Sequence, residues 1–193
     1  MTERSVLFTG VGGQGVQICS KVLATAANDE DRYTMLIARY AGGMRGGMTN
    51  AEVTIGDAPL RALPVVPSAW AAFVMSPAHW TTISDRLQPG AVVVTNSSLV
   101  TDAIAAPDAR LFEVPANDIA ASLGNPLSAG FVLLGAFAAV TGLVTVAGTV
   151  AAMRQLVPSY RTEHVLANEA ALNAGAAALP PLGAPAWPVG AVQ

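Results

Sequence analysis

Thiols, charges and aromatic rings are all scarce along these 193 residues. Cys19 is the sole cysteine, so the chain can close no disulfide and cannot by itself supply the four thiolates of an iron–sulfur cluster. Charged residues make up only 12%, against roughly 25% in an ordinary soluble domain, while 52% are hydrophobic. Too little charge is left to coat a free monomer, which implies that a partner covers part of the surface. The net charge of −3 offers no attraction to phosphate backbones or anionic lipid, so neither nucleic acid nor a membrane surface is an expected partner. The two histidines, His79 and His164, lie far apart with no cysteine or acid at ligand spacing, and no metal site is expected. A G-x-S-x-G elbow is absent too, removing the usual signature of a serine hydrolase.

Long apolar runs are present but broken. No charge interrupts Ile119 to Met153, yet Gly124-Asn125-Pro126 and Thr141-Gly142 cut that stretch to about 15 residues of unbroken helical pattern, short of the ~20 a membrane span needs. A buried core or interface helix fits better. Met1-Thr2-Glu3-Arg4 leads straight into a strand pattern without the apolar segment and cleavage site of a secretory signal, so the expected location is cytoplasmic.

The length suits one domain with a core of its own. Apolar runs predict strands at 5–9, 33–37, 50–55, 71–75, 91–95 and 110–114, and helical patterns fall at 16–27 and around 78–87. Helices then dominate, at 117–123, 127–140, 146–156 and 162–178, with Thr162 placed to cap the last. The expected architecture is α/β: a doubly wound, Rossmann-like, mostly parallel sheet with flanking helices and a helical C-terminal half. Pro180, Pro181, Pro185 and Pro188 forbid regular structure beyond it, so residues 179–193 read as an extended Pro/Ala-rich arm. Trp187 in that arm is either an anchor for another subunit or part of a disordered tail.

Gly10, Gly12 and Gly15 match G-x-G-x-x-G between a strand and a helix, where backbone N–H groups and a helix N-terminus can hold a phosphate. A dinucleotide site would also want an acid near the end of the second strand. Here that strand runs out at Ala38-Arg39-Tyr40, and Asp29, Glu30 and Asp31 all precede it. Two readings stand: a phosphate cradle, or glycines needed only for a tight turn. Arg45, set among Gly42, Gly43, Gly46 and Gly47, can clamp a carboxylate or phosphate, or pair with a carboxylate across an interface. Cys19 reads as a small buried hydrophobe, a reactive thiol being the alternative. Asn96 and Asn125 are explained by turns and caps.

The loops GVGGQGV at 10–16 and RYAGGMRGGMTNAEVTIGD at 39–57 together resemble the gamma subunit or domain of the 2-oxoacid:ferredoxin (acceptor) oxidoreductases. The likeness continues through Gly90-Ala91-Val92-Val93-Val94-Thr95-Asn96, Pro115-Ala116-Asn117-Asp118-Ile119-Ala120, Leu123-Gly124-Asn125-Pro126, Leu133-Leu134-Gly135-Ala136 and Asn168-Glu169-Ala170-Ala171. It covers residues 1–178 as one gamma-type domain. Many relatives carry a proline and a glutamate where this loop reads Tyr40-Ala41-Gly42-Gly43-Met44, so no role is carried over from that glutamate. The resemblance implies a complex that decarboxylates a 2-oxoacid oxidatively on thiamine diphosphate with Mg2+. Electrons would pass through 4Fe–4S clusters to ferredoxin or a similar acceptor, and the acyl group would commonly go to coenzyme A. By the same resemblance the thiamine belongs to alpha and beta subunits, the clusters to iron–sulfur subunits, and this chain holds no cofactor alone. Gly12, Gly13, Gln14, Gly15 and Arg45 would then make a phosphate-bearing or interface contact. Outside the resemblance, a free-standing NAD(P)-binding oxidoreductase and a pure scaffold subunit are the competing readings.

Overall fold

The computed structural model describes residues 2–40, 46–60, 65–99, 104–157, 162–182, 186 and 187. Arg45 and the other residues of 41–45 lie outside these, as does the Thr162 side chain. The first strand, β1 (Glu3–Val11), turns through the glycine loop into α1 (Val16–Asp29), and β2 (Tyr33–Tyr40) and β3 (Met48–Gly56) follow. Next come β4 (Ala69–Val74), β5 (Leu87–Asn96) and β6 (Arg110–Val114), then α2 (Ala116–Ser122), α3 (Ala129–Thr141), α4 (Val146–Leu156) and α5 (Thr162–Ala177).

All six strands form one sheet in the order β2-β3-β1-β4-β5-β6. β1 pairs parallel with β4, β4 with β5 and β5 with β6, while β3 runs antiparallel to both β1 and β2. Five strands therefore share one direction and β3 alone is reversed. The chain leaves β1 toward one edge and later returns to build toward the other, so the winding changes sense at the C-terminal ends of β1 and β4. In sheets of this kind that point opens a crevice for ligands.

The central strands are apolar on both faces, as strands covered on both sides must be. Val6 and Phe8 of β1 meet the helices, where Phe8, Phe73 and Phe137 stack with centroids 4.8 to 6.4 Å apart. Leu7, Ala72, Val74 and Val93 point the other way and are covered by Val66, Trp80, Ile83 and Ile104. All five α-helices pack on the first face. The expected helix around 78–87 is overturned: two 3-10 turns, Pro77–Thr82 and Ser84–Arg86, stand there, and Leu87 already belongs to β5. The backbone breaks at His79, and Trp80 and Ile83, one 3-10 turn apart, bury together on the second face. Three residues per turn suits that pair better than 3.6.

Helix ends are fixed by local and distant groups. Gly142, with φ 59°, stops α3 and returns its N–H to Ala138 O at 2.9 Å. Thr145 caps α4 by accepting from Gly148 N–H at 2.9 Å, and Glu30 at the end of α1 accepts from the Thr145 N–H and hydroxyl at 2.9 and 2.6 Å. Gly135 and Gly175 let α3 and α5 cross with their backbones nearly touching. Trp187 neither reaches out nor hangs free. Its Nε1–H donates to Leu143 O at 3.0 Å under the Arg32 guanidinium, 4.3 Å from the ring centroid, and Arg4 donates to Ala186 O at 3.0 Å. Among the described residues no helix is long and apolar enough to cross a membrane.

Candidate functional site

The glycine loop stands at the C-terminal end of β1, where the sheet changes its winding. Gly10 has no room for a side chain: a Cβ would lie 2.7 Å from Val16 Cγ2 and 3.0 Å from Met75 Cβ, so glycine is what lets α1 start tight against β4. Gly13 and Gly15 have φ of 100° and 77°, left-handed values natural to glycine, and Gly15 is the N-cap of α1. Gln14 folds back on its own loop. Its Oε1 accepts from Val11 N–H at 2.8 Å, and its N–H donates to Val11 O at 3.1 Å. Gly12 N–H donates to Gly47 O at 2.8 Å, joining this loop to the second glycine segment.

The sequence candidates thus divide. Gly12 and Gln14 spend their hydrogen-bonding groups on holding the loop, whereas the N–H groups of Gly13, Gly15 and Val16 take no partner among the described residues. They open on the N-terminal pole of a 14-residue helix whose first turn carries no acid, a setting that favours an anion. Arg45 falls outside the described residues.

The dinucleotide alternative meets an obstacle in the topology. β3 lies between β1 and β2, so the end of β2 sits two strand spacings, ~10 Å, from the glycine loop instead of one. Arg39, which that reading needed for a phosphate, donates through Nε to the buried Glu52 at 3.0 Å. Glu52 also accepts from Arg86 at 3.0 Å and from Val66 N–H at 3.0 Å, locking the start of the second loop to the covering turns.

Several residues gain importance only in three dimensions. Asn96, fully buried, donates from Nδ2 to Met75 O at 3.3 Å and to Asn117 Oδ1 at 2.6 Å, and accepts from Ala116 N–H at 3.1 Å. One carboxamide so ties the ends of β4 and β5 to the start of α2. An asparagine directly after an apolar strand was the available signal, and a turn was too modest a reading of it. Thr9, Asn50 and Thr82 form a chain on the second face with bonds of 2.8 and 3.2 Å. Cys19 is buried beside Gly130, and desolvation pushes its thiol up to about 12, which removes the reactive-thiol reading at neutral pH. His79 lies in the turns over the second face and His164 on α5, and among the described residues no three His, Cys, Asp or Glu converge as a metal set would.

Residues 5–178 match the family model described as pyruvate ferredoxin/flavodoxin oxidoreductase. The chain is 31% identical over 163 residues to the 2-oxoglutarate synthase subunit KorC of Methanothermobacter thermautotrophicus, an alignment spanning 81% of this chain and 86% of that subunit. Its fold superposes with a TM-score of 0.80 and 26% identity on the gamma subunit of a keto/oxoacid ferredoxin oxidoreductase from Geobacter sulfurreducens, covering 92% and 97% of the two chains. A 2-oxoglutarate:ferredoxin oxidoreductase from Magnetococcus marinus, solved with 2-oxoglutarate, coenzyme A and succinyl-CoA, shares the fold at TM-score 0.83 and 15% identity. There 96% of this chain matches only 34% of a longer one.

Proposed function

Because this chain belongs to the pyruvate ferredoxin/flavodoxin oxidoreductase family, we propose that it works as the gamma subunit of a cytoplasmic 2-oxoacid:ferredoxin oxidoreductase complex and contributes the phosphate-holding part of its coenzyme A site. Thiamine diphosphate with Mg2+ and the 4Fe–4S clusters would reside on alpha, beta and iron–sulfur partners, supplying decarboxylation and electron transfer to ferredoxin. This chain's share is to bind and orient. The observation that carries the reading is the Gly13–Gly15 turn. Two left-handed glycines and a helix N-terminus bring N–H groups that have no partner among the described residues to the end of the sheet where its winding reverses. Among the described residues nothing acidic opposes a phosphate there and no side chain obstructs it: a Cβ on Gly13 would meet none of their atoms within 4 Å.

Reconstitution with and without this chain tests membership, reading 2-oxoacid-dependent viologen reduction and acyl-CoA formation. Loss of coenzyme A-dependent turnover on omission is expected, and full turnover without the chain refutes the proposal. For the anion site, Gly13→Asn and Gly13→Asp have the same shape and comparable backbone strain but differ by one charge. The KM for coenzyme A should be about tenfold higher for the aspartate, a difference of ~1.4 kcal/mol. Equal KM values would place the phosphates elsewhere.

A further inference from the structure

β2 stands at one end of the sheet, with β3 its sole strand neighbour among the described residues. The two strands differ in their surroundings. β3 is buried at every position after Met48, whereas no residue from Tyr33 to Arg39 is fully buried, and Tyr33, Ala38 and Arg39 are exposed. An antiparallel neighbour takes the N–H and C=O of alternate residues, so every second residue of β2 turns both groups away from β3. The opposite edge, β6, is five residues long, carries Arg110 and Glu113 and runs into Pro115, features that keep an edge from pairing. β2 lacks such protection. From Tyr33 through Thr34, Met35, Leu36, Ile37 and Ala38 it carries neither charge nor proline, and its register with β3 runs unbroken.

An edge of this chemistry recognises another extended strand, and the order of its side chains selects a second copy of itself. A two-fold axis normal to the sheet passes midway between one residue and its own copy, so self-pairing centres on a single residue. Centred on Leu36, it sets Met35 against Ile37, Thr34 against Ala38 and Tyr33 against Arg39. Opposed residues share a face. Leu36 packs with the helical layer, so Tyr33, Met35, Ile37 and Arg39 gather on the other side. Arg39 holds Glu52 through Nε, yet its side chain is 48% exposed, free to lay the guanidinium over the copy's Tyr33, which is equally exposed. No charge then opposes its like. Centring on Ile37 would set Arg39 against Met35 and lose that contact.

We propose that two copies of this chain join through β2, antiparallel and centred on Leu36, so that two six-stranded sheets continue into one. The contact holds independently of what the glycine turn binds. The stretch from Tyr33 to Arg39 spans ~24 Å, which puts it at the small end of specific interfaces and makes the dimer a reversible one.

Sedimentation of the full-length chain from about 5 to 100 µM should show monomer passing to dimer, and Met35→Lys should weaken that step at least about tenfold without lowering the melting curve. Disulfide trapping, in the chain alone and in the assembled complex, reads the register. Opposed Cα atoms lie about 4.5–5.5 Å apart, within disulfide reach, so Leu36→Cys should cross-link to its copy, while Thr34→Cys, ~14 Å from its own, should not. Cys19 is fully buried and stays out of the reaction. If Leu36→Cys fails to fold, a mixture of Met35→Cys and Ile37→Cys chains tests the same register. A chain that stays monomeric to about 100 µM, with no trapping in the complex either, overturns the proposal; protection of β2 amides from hydrogen exchange on assembly would then assign the edge to a strand of another subunit. A dimer that a folded Met35→Lys leaves intact, or one trapped through Thr34→Cys, overturns it as well.

Discussion

Replacing Gly135 with alanine should loosen the seam between α3 and α5, and the cost can be worked from the geometry. A methyl at Gly135 would run first into the Leu172 carbonyl oxygen, with the carbonyl carbon at 2.7 Å and Cα at 2.9 Å behind it, while one at Gly175 would strike the Val132 carbonyl oxygen with its carbon and Cα at 2.7 and 3.0 Å. Non-bonded carbons rest at about 3.5–4.0 Å, so the carbon contacts alone part the helices by about 1 Å and the carbonyl oxygens by more, and a gap of even that size forfeits roughly a quarter to a half of the dispersion well for every pair along the seam. Ala171 and Leu172 of α5 are buried there against Val132, Leu133 and Ala136 of α3. Overpacking of this kind costs about 3–4 kcal/mol, at the upper end for such changes, and the better helix propensity of alanine returns about 1 kcal/mol. A net loss of ~2–3 kcal/mol lowers the melting temperature by roughly 5–10 °C for a chain of this size. Circular-dichroism melts and urea midpoints measure it. Because one displacement relieves both clashes, the Gly135→Ala/Gly175→Ala double variant should lose less than the two single losses combined. A Gly135→Ala protein that melts at or above wild type refutes the reasoning.

Glu52→Ala strips a buried carboxylate from Arg39, Arg86 and Val66 N–H, and a loss of ~2–3 kcal/mol is expected in urea unfolding, below the full value for a buried pair because both arginines are partly exposed. The Cys19 thiol titrates near 9.0 when unfolded and about 12 when folded, so the unfolded state binds fewer protons between those values. Stability should therefore hold below pH 9 and fall as pH rises through that window, by at most ~1.4 kcal/mol per pH unit, and Cys19→Ala should remove this part of the slope. Trp187→Ala gives up an indole hydrogen bond and a cation–π contact, about 1–2 kcal/mol together, and an unchanged urea midpoint would contradict the packing of Trp187 against Arg32 and Leu143.

Elements governed by neighbouring residues were legible in the sequence. The strand–glycine–helix start, all six strands and the helices at 146–156 and 162–177 fall where the apolar periodicity puts them. The segment after Ser76 was misread because its apolar residues suit either helix type. Pro77, the break at His79 and the shared burial of Trp80 and Ile83 decided for 3-10 turns. Trp187 could not be placed from sequence, since its partners, Arg32 and the Leu143 carbonyl, lie far away along the chain. Of the candidate site, the glycine turn was visible from spacing. Which N–H groups it leaves open was not, because that depends on Gly47 reaching across from another loop.

The order of residues by itself determined an α/β chain with one thiol, little charge, and a glycine turn opening the first helix. Only the tertiary structure decided that β3 would slip between β1 and β2, leaving β2 at the end of the sheet, and that glycines on α3 and α5 would meet. Turns and periodicity are set by forces acting over a few residues, whereas strand neighbours and helix crossings are chosen by which distant surfaces exclude water best together.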